Sequence, residues 1–225
     1  LIAKQRIFRG CKKVVINRNE PHSTPQNRDS LPSIDFGFDR PGVNGLGLLQ
    51  EGEDQYLAFQ FEKIVSVSEL KIFGQHNIAN CLAAIGLALS VGIDIKAIRK
   101  ALIGFSGLPH RCEWVANLAG VEFYNDSKGT NVGATIAAVE GLGKHIVGHI
   151  ILIAGGVGKG ADFSNLIPVV NRWSKRVILI GKDAKALALA LNPETQAVFA
   201  KDMHDAVTVA LSHAAPGDAI LLSPA

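Results

Sequence analysis

"VEFYNDSKGTNVGATIAAVEGL", residues 121–142, is the stretch whose reading decides the fold. Residues 121–125 are an apolar strand, and 132–142 carry the spacing of an amphipathic helix. Between them Asn125, Asp126, Ser127, Lys128, Thr130 and Asn131 crowd around Gly129. Two or three such residues suffice to turn a chain, so this turn carries more hydrogen-bonding chemistry than a reversal needs. The same strand–helix alternation continues downstream. Strand 149–154 leads to a helix near 164–173, strand 176–180 to helix 183–191, and strand 196–199 to helix 202–213, before a last strand at 218–222. Apolar runs such as "IILIA", "RVILI" and "AILL" separated by helices predict an α/β fold: a parallel sheet with helices on both faces.

Upstream of this region the pattern changes. "VVIN" (14–17) is a short strand, and a loop rich in Pro, Ser, Asn and Asp runs to about residue 33. Short strands at 46–50, 55–61 and 63–67 predict a small antiparallel or mixed patch. In "GQHNIANCLAAIGLALSVG" the residues Ile78, Leu82, Ile85 and Leu89 recur at helical spacing, and Gly92 ends the helix. A second helix is expected at about 94–103. The segment "GFSGLPHR" then separates two domains, 1–106 and 107–225.

Composition narrows the function classes. The 225 residues are 48% hydrophobic and 19% charged, enough for a sizeable core. A net charge of +3 without a basic block argues against a nucleic-acid partner. Apolar stretches such as "HIILIAGG" are far short of the roughly 18 residues of a membrane span. Cys11, Cys81 and Cys112 are odd in number, scattered and free of CxxC spacing, which suits a reducing, cytoplasmic setting rather than a disulfide frame or zinc site. The chain opens on "LIAKQRIF" without Met and stops after "DAILLSPA", and is expected to be a piece of a longer protein.

Four segments carry candidate chemistry. At the turn, Thr130 or Asn131 can cap the helix, whose first N–H groups form an anion site beside the Lys128 ammonium. Asp126, at the strand end, can bond a ribose, orient a cation or hold an Arg; a cap in a solvated turn is the plain alternative. "GGVGKGADF" (155–163) follows a strand, so its backbone N–H groups and Lys159 can meet an anion, although it fits neither the P-loop nor the GxGxxG spacing. Asn77 and Asn80 sit three apart on one helix face. Asn77 is either an N-cap or a ligand, and the Asn80 amide can pair with an adenine edge. In "LPHRCEW" (108–114), Arg111 at the boundary reads either as an interdomain ion pair or as a phosphate ligand in a cleft. No Ser/His/Asp triad, zinc spacing or carboxylate pair stands out, and Lys4 alone says nothing.

Taken in order, "AKQRIF" (3–8), "GQHNIANCLAA" (74–84), "GLPHR" (107–111), "NDSKGTN" (125–131), "GGVGKGADF" (155–163) and "LLSPA" (221–225) resemble the Mur ligases along the whole chain. The DSKxTN-type turn is most similar to members that join D-glutamate to UDP-N-acetylmuramoyl-L-alanine. The resemblance implies the latter part of a central ATPase domain over 1–106 and a Rossmann-like ligase domain over 107–225. It implies ATP and Mg2+ as cofactors, an acyl phosphate route, a role in peptidoglycan precursor synthesis, and a monomer. By the same resemblance Asn77, Asn80, Arg111 and Asp126 match nucleotide positions. Lys128, Thr130 and Lys159 match positions that hold the incoming amino acid, with Lys128 and Asp126 at the reaction centre. Lys4 matches a lysine whose carbamate helps to hold magnesium. The P-loop is absent from these residues, so the stretch alone is expected to be inactive.

Two departures stand out: Gly129 where the family usually has Ala, read as mild, and Val157 where Asp is common. Other readings remain a sister ligase using another amino acid, or a Rossmann-type binding module. The latter lacks GxGxxG and an acidic residue about 20 positions on.

Overall fold

A computed structural model describes residues 2–26, 31–156, 162–191 and 195–224, without the side chains of residues 2, 4 and 23. The chain divides into two compact units, Leu1–Ser106 and Gly107–Ala225.

In the first unit a short helix, α1 (Ile2–Gln5), precedes β1 (Val14–Asn17), β2 (Ser33–Phe36), β3 (Gly45–Glu51), β4 (Asp54–Phe59) and β5 (Glu62–Ser66). They form one sheet in sequential order. The pairs β1–β2 and β2–β3 are parallel, while β3–β4 and β4–β5 are antiparallel hairpins. The helices α2 (Gln75–Ser90) and α3 (Ile95–Gly104) follow. Leu82 and Ile85 of α2 are fully buried with Leu46 and Leu57 of the sheet, so the helical spacing seen in the sequence is the core stripe. Asp94 caps α3 by accepting from the N–H groups of Lys96 and Ala97. The strand β2 begins where the expected loop ends, in a stretch assigned no element from the sequence. Its Ile34 and Phe36 pack on the core and its Asp35 accepts from Arg18, an alternation only four residues long.

The second unit contains β6 (Glu113–Leu118), β7 (Val121–Asn125), α4 (Val132–Gly143), β8 (Ile150–Gly155), α5 (Ile167–Trp173), β9 (Ser174–Ile180), α6 (Ala184–Ala190), β10 (Ala197–Phe199), α7 (Met203–His213) and β11 (Ala219–Leu222). The sheet order is β10-β9-β8-β11-β7-β6. Every pair is parallel except the edge pair β6–β7. The antiparallel β6 is an addition to the all-parallel sheet expected from the alternation. Ile151, Ile153, Ile178 and Ile220 pack with Ala206 and Ala210 of α7 on one face. The helices α4 and α5 meet each other. Right-handed crossovers explain this division, because β7→β8→β9→β10 run one way across the sheet and β10→β11 returns.

The return leaves β11 between β7 and β8, with Leu222 opposite both Asn125 and Ile153. This is the switch point of the sheet, where ligands of open α/β sheets bind beyond the carboxyl ends. Behind it, at the opposite ends of the strands, Asp218 is 4% exposed. Its carboxylate accepts from the N–H groups of His149 and Ala215 and pairs with Lys175. Burial alone would raise this carboxyl, but the bonds from Lys175, His149 and Ala215 hold it below its ordinary range.

Candidate functional site

The switch point gathers three segments: the loop before β6, the turn between β7 and α4, and the residues after β11. Asp126 ties them together. It is 7% exposed, so the turn is not the wholly solvated feature that its composition suggests. Its Oδ1 accepts from the Cys112 N–H (3.1 Å) and its Oδ2 from the Ser223 hydroxyl (2.8 Å). Ser223 Oγ also lies 2.9 Å from Thr135 Oγ1, and both residues are 0% exposed. Ser223 has a single proton, so when it donates to Asp126 the Thr135 hydroxyl is the one that donates to Ser223. Main-chain bonds run beside this chain: Asp126 N–H to Leu222 O and Ser223 N–H to Ile153 O. Burial, and then the Asp126 charge, push the Cys112 thiol up to about 12, so it stays a neutral thiol at physiological pH.

Gly129 is buried in the same corner. A Cβ there would stand 2.2 Å from Asp126 Oδ2 and 2.7 Å from Ser223 Oγ. An alanine here would require the ends of the Asp126 and Ser223 side chains to shift.

The polar side chains of the turn face two ways. Asp126 and Gly129 are buried, whereas Lys128, Thr130 and Asn131 are exposed. Asn131 is the cap of α4, accepting from Ala134 N–H at 3.0 Å, which decides between the two sequence candidates. Thr130 is thereby left free of capping duty. Among the described residues Lys128 makes no ion pair. An ammonium and a hydroxyl beside the positive end of a twelve-residue helix suit a carboxylate or phosphate ligand.

Arg111 is exposed in the loop before β6. Its neighbours His110 (φ 65°) and Cys112 (φ 47°) both hold left-handed backbone, which costs a non-glycine residue on the order of 1–3 kcal/mol. The His110 carbonyl accepts from Lys128 N–H (3.1 Å), and His110 Nδ1 lies 2.9 Å from Asn125 Nδ2. The His110 N–H reaches Glu113 at 2.8 Å. Together with the bond from Cys112 to Asp126, these contacts fix the loop against the turn.

In the first unit, Asn77 is not an N-cap. The helix begins one turn earlier, with Gly74 (φ 92°) at the cap and no side-chain bond to its first N–H groups. Asn77 instead donates from Nδ2 to Phe73 O (2.9 Å), and Asn80 Nδ2 lies 3.4 Å from Asn77 Oδ1. Asn80 is exposed, so its amide is available to a ligand.

Two expected site residues lie outside the description. Lys159, like Val157, falls in the undescribed 157–161, and of Lys4 only the backbone, within α1, is described. The flanking Gly155 is described: its φ is 117° and its N–H donates to Pro224 O (2.8 Å). Sequence reasoning missed Ser223, Thr135 and the steric role of Gly129. The available signal was a Thr on the apolar face of "VGATIAAVEGLG", where a hydroxyl needs a partner.

Comparison with known proteins now adds to this geometry. The family described as "Mur ligase, glutamate ligase domain" matches residues 110–225. A UDP-N-acetylmuramoylalanine–D-glutamate ligase of Pseudomonas aeruginosa is 47% identical over 224 residues, covering 100% of this chain and 50% of the relative. The enzyme of the same description in Legionella pneumophila is 44% identical over 225 residues. The chain spans about half the length of the curated relatives it matches. Among solved structures, a pseudomurein peptide ligase type C from Methanothermus fervidus superposes with a TM-score of 0.74 at 17% identity, covering 100% of this chain and 56% of that one. MurF from Acinetobacter baumannii gives 0.71 at 16% identity, over 95% of this chain and 48% of that one. These two likenesses concern the fold.

Proposed function

The chain belongs to the Mur ligase family, and on that footing we propose that it is part of an ATP-dependent ligase joining D-glutamate to UDP-N-acetylmuramoyl-L-alanine. The observation that carries this reading is the identity of 44% to 47% with D-glutamate ligases along the whole chain. The reaction is an amide synthesis. The carboxylate of the UDP-linked substrate attacks the γ-phosphorus of ATP, which forms an acyl phosphate and releases ADP. The amine of D-glutamate then attacks the acyl carbon, phosphate leaves, and the amine loses a proton.

The residues divide accordingly. Asn77 and Asn80 take the nucleotide base end, with the exposed Asn80 amide on the adenine edge. Arg111 neutralises phosphate, and Asp126 serves the same nucleotide side. Lys128 and Thr130, at the N-terminus of α4, hold the carboxylates of the incoming D-glutamate, with Lys128 nearest the reacting centre. Lys159 and carbamylated Lys4 complete the expected set. Magnesium supplies charge neutralisation on the phosphates. Among the described residues no group of three His, Cys, Asp or Glu could hold a metal, and a carbamate on Lys4 would supply magnesium with an oxygen ligand. No described helix is long and apolar enough to cross a membrane. The enzyme works as a monomer in the cytoplasm, in peptidoglycan precursor synthesis.

The test uses the full-length enzyme. Phosphate release from ATP should require D-glutamate, UDP-N-acetylmuramoyl-L-alanine and magnesium together. Faster release with L-lysine, meso-diaminopimelate or L-alanine would assign a different amino acid.

A further inference from the structure

We infer that Asp126 is a positioning residue for Arg111, and that Ser223 and Gly129 belong to the same device. The inference rests on the nucleotide-side role proposed for Arg111 and gives its physical basis. Arg111 stands between two left-handed residues, His110 and Cys112. Backbone of that kind persists only where surrounding bonds over-determine it. On one side His110 is held through its N–H, its carbonyl and its ring, by Glu113, Lys128 and Asn125 respectively. On the other side the Cys112 N–H bonds to Asp126 Oδ1. Without that acceptor Cys112 has lost its side-chain anchor, and Arg111 is tethered from His110 alone.

The carboxylate is itself held. Ser223 donates to Oδ2, and Ser223 in turn lies against Thr135 of α4. The pair of bonds fixes both oxygens, so Asp126 aims inward, toward the frame. The space for that pose exists because residue 129 has no side chain, since a Cβ would stand 2.2 Å from Oδ2. Backbone strain is not the reason for glycine here, because Gly129 is not among the residues with positive φ. Ser223 and Gly129 thus act on the nucleotide through Asp126, the Cys112 N–H and the position of Arg111.

A direct charge contact by Asp126 and this indirect action predict different kinetics in the full-length enzyme. Asp126→Ala, Ser223→Ala and Gly129→Ala should each raise KM for ATP, by about tenfold for Asp126→Ala, while KM for D-glutamate stays within about twofold. Asp126→Asn keeps the Oδ1 acceptor, and its amide can donate to Ser223 Oγ, so its KM for ATP should rise by no more than about threefold. In an Arg111→Ala background, Ser223→Ala and Gly129→Ala should add nothing to KM for ATP. If Asp126→Ala or Gly129→Ala does not fold, Ser223→Ala and Asp126→Asn still decide the matter.

Three results overturn the inference. One is an Asp126→Asn enzyme as impaired as Asp126→Ala. Another is a Ser223→Ala effect that persists undiminished on Arg111→Ala. The third is an Arg111→Ala enzyme with normal KM for ATP, which leaves the ligase reading intact. A wild-type enzyme inactive with D-glutamate refutes the ligase reading alone, and the same cycle is then read from the Kd for ADP by titration.

Discussion

The helices α2 and α4 both begin on turns crowded with polar side chains, yet the bonds that hold those turns span very different lengths of chain. At α2, Asn77 reaches back to Phe73 and Asn80 to Asn77, all within four residues. At α4, Asp126 bonds to Cys112, 14 residues away, and to Ser223, 97 residues away. The first turn is a local arrangement whose loss leaves the rest of its unit in place. The second is a joint between distant segments, so its opening is tied to the cooperative stability of the whole sheet. A polar helix entrance is therefore no guide to its energetic weight until its partners are known.

Five sets of variants test this contrast, in falling order of effect. Asp126→Ala should destabilise the second unit by about 2–4 kcal/mol, because it strands a backbone N–H and a hydroxyl in a buried corner. Gly129→Ala should cost about 1–3 kcal/mol by crowding the same carboxylate. Denaturant melts that leave both variants at wild-type stability would dissolve the joint. Asp218→Asn comes next at about 1–3 kcal/mol, from bonds to Lys175, His149 and Ala215 that an amide accepts less well.

The Asp218 effect has a signed pH dependence. Its folded pKa lies below the ordinary aspartate value, so its stabilisation is complete above that ordinary value and fades as pH falls through the folded pKa. The gap between wild type and Asp218→Asn should begin to narrow below about pH 4 and close only below the folded pKa. A gap that widens in acid would contradict the assigned direction.

At α2, Asn77→Ala should cost only about 1 kcal/mol, for the single bond to Phe73. A loss matching that of Asp126→Ala would erase the distinction between the two turns. Smallest of all, Lys128→Ala and Thr130→Ala should change stability by no more than about 0.5 kcal/mol, since both side chains are exposed. Their effect should appear instead as a raised KM for D-glutamate. Unchanged glutamate kinetics with lowered melting temperatures would return both residues to a structural role.

The parallel strands of the second unit were legible because each is an apolar run with a helix after it: Ile150–Ile153 are buried on both sides and show it. The strand β6 was not, since a register shift between Trp114 and Ala116 and an edge position remove its period of two. For β2, Ile34 and Phe36 face the core while Asp35 serves Arg18, but four residues give too short an alternation to mark a strand. At the site, the crowding of residues 125–131 showed that the turn was chemically rich. Which side chains turn inward depended on Ser223, whose place beside Asp126 comes from the strand order and not from any local pattern. The position of the α2 cap was misjudged because Asn is a common cap. Here the φ of 92° at the cap is one that glycine alone adopts without cost, and Gly74 takes it.

The insertion of β11 between β7 and β8 also sets an order of events during synthesis. The ribosome delivers β6 through β10 before the strand that belongs in the middle of their sheet. Until residues 219–222 emerge, β7 and β8 face each other across a vacant lane, each with an unpaired edge. Open edges of apolar strands are templates for wrong partners, and late long-range pairing slows folding. The nascent unit therefore depends on β11 for protection of both edges. Ser223 follows that strand directly, so Asp126 gains its final hydrogen bond only when the sheet is sealed.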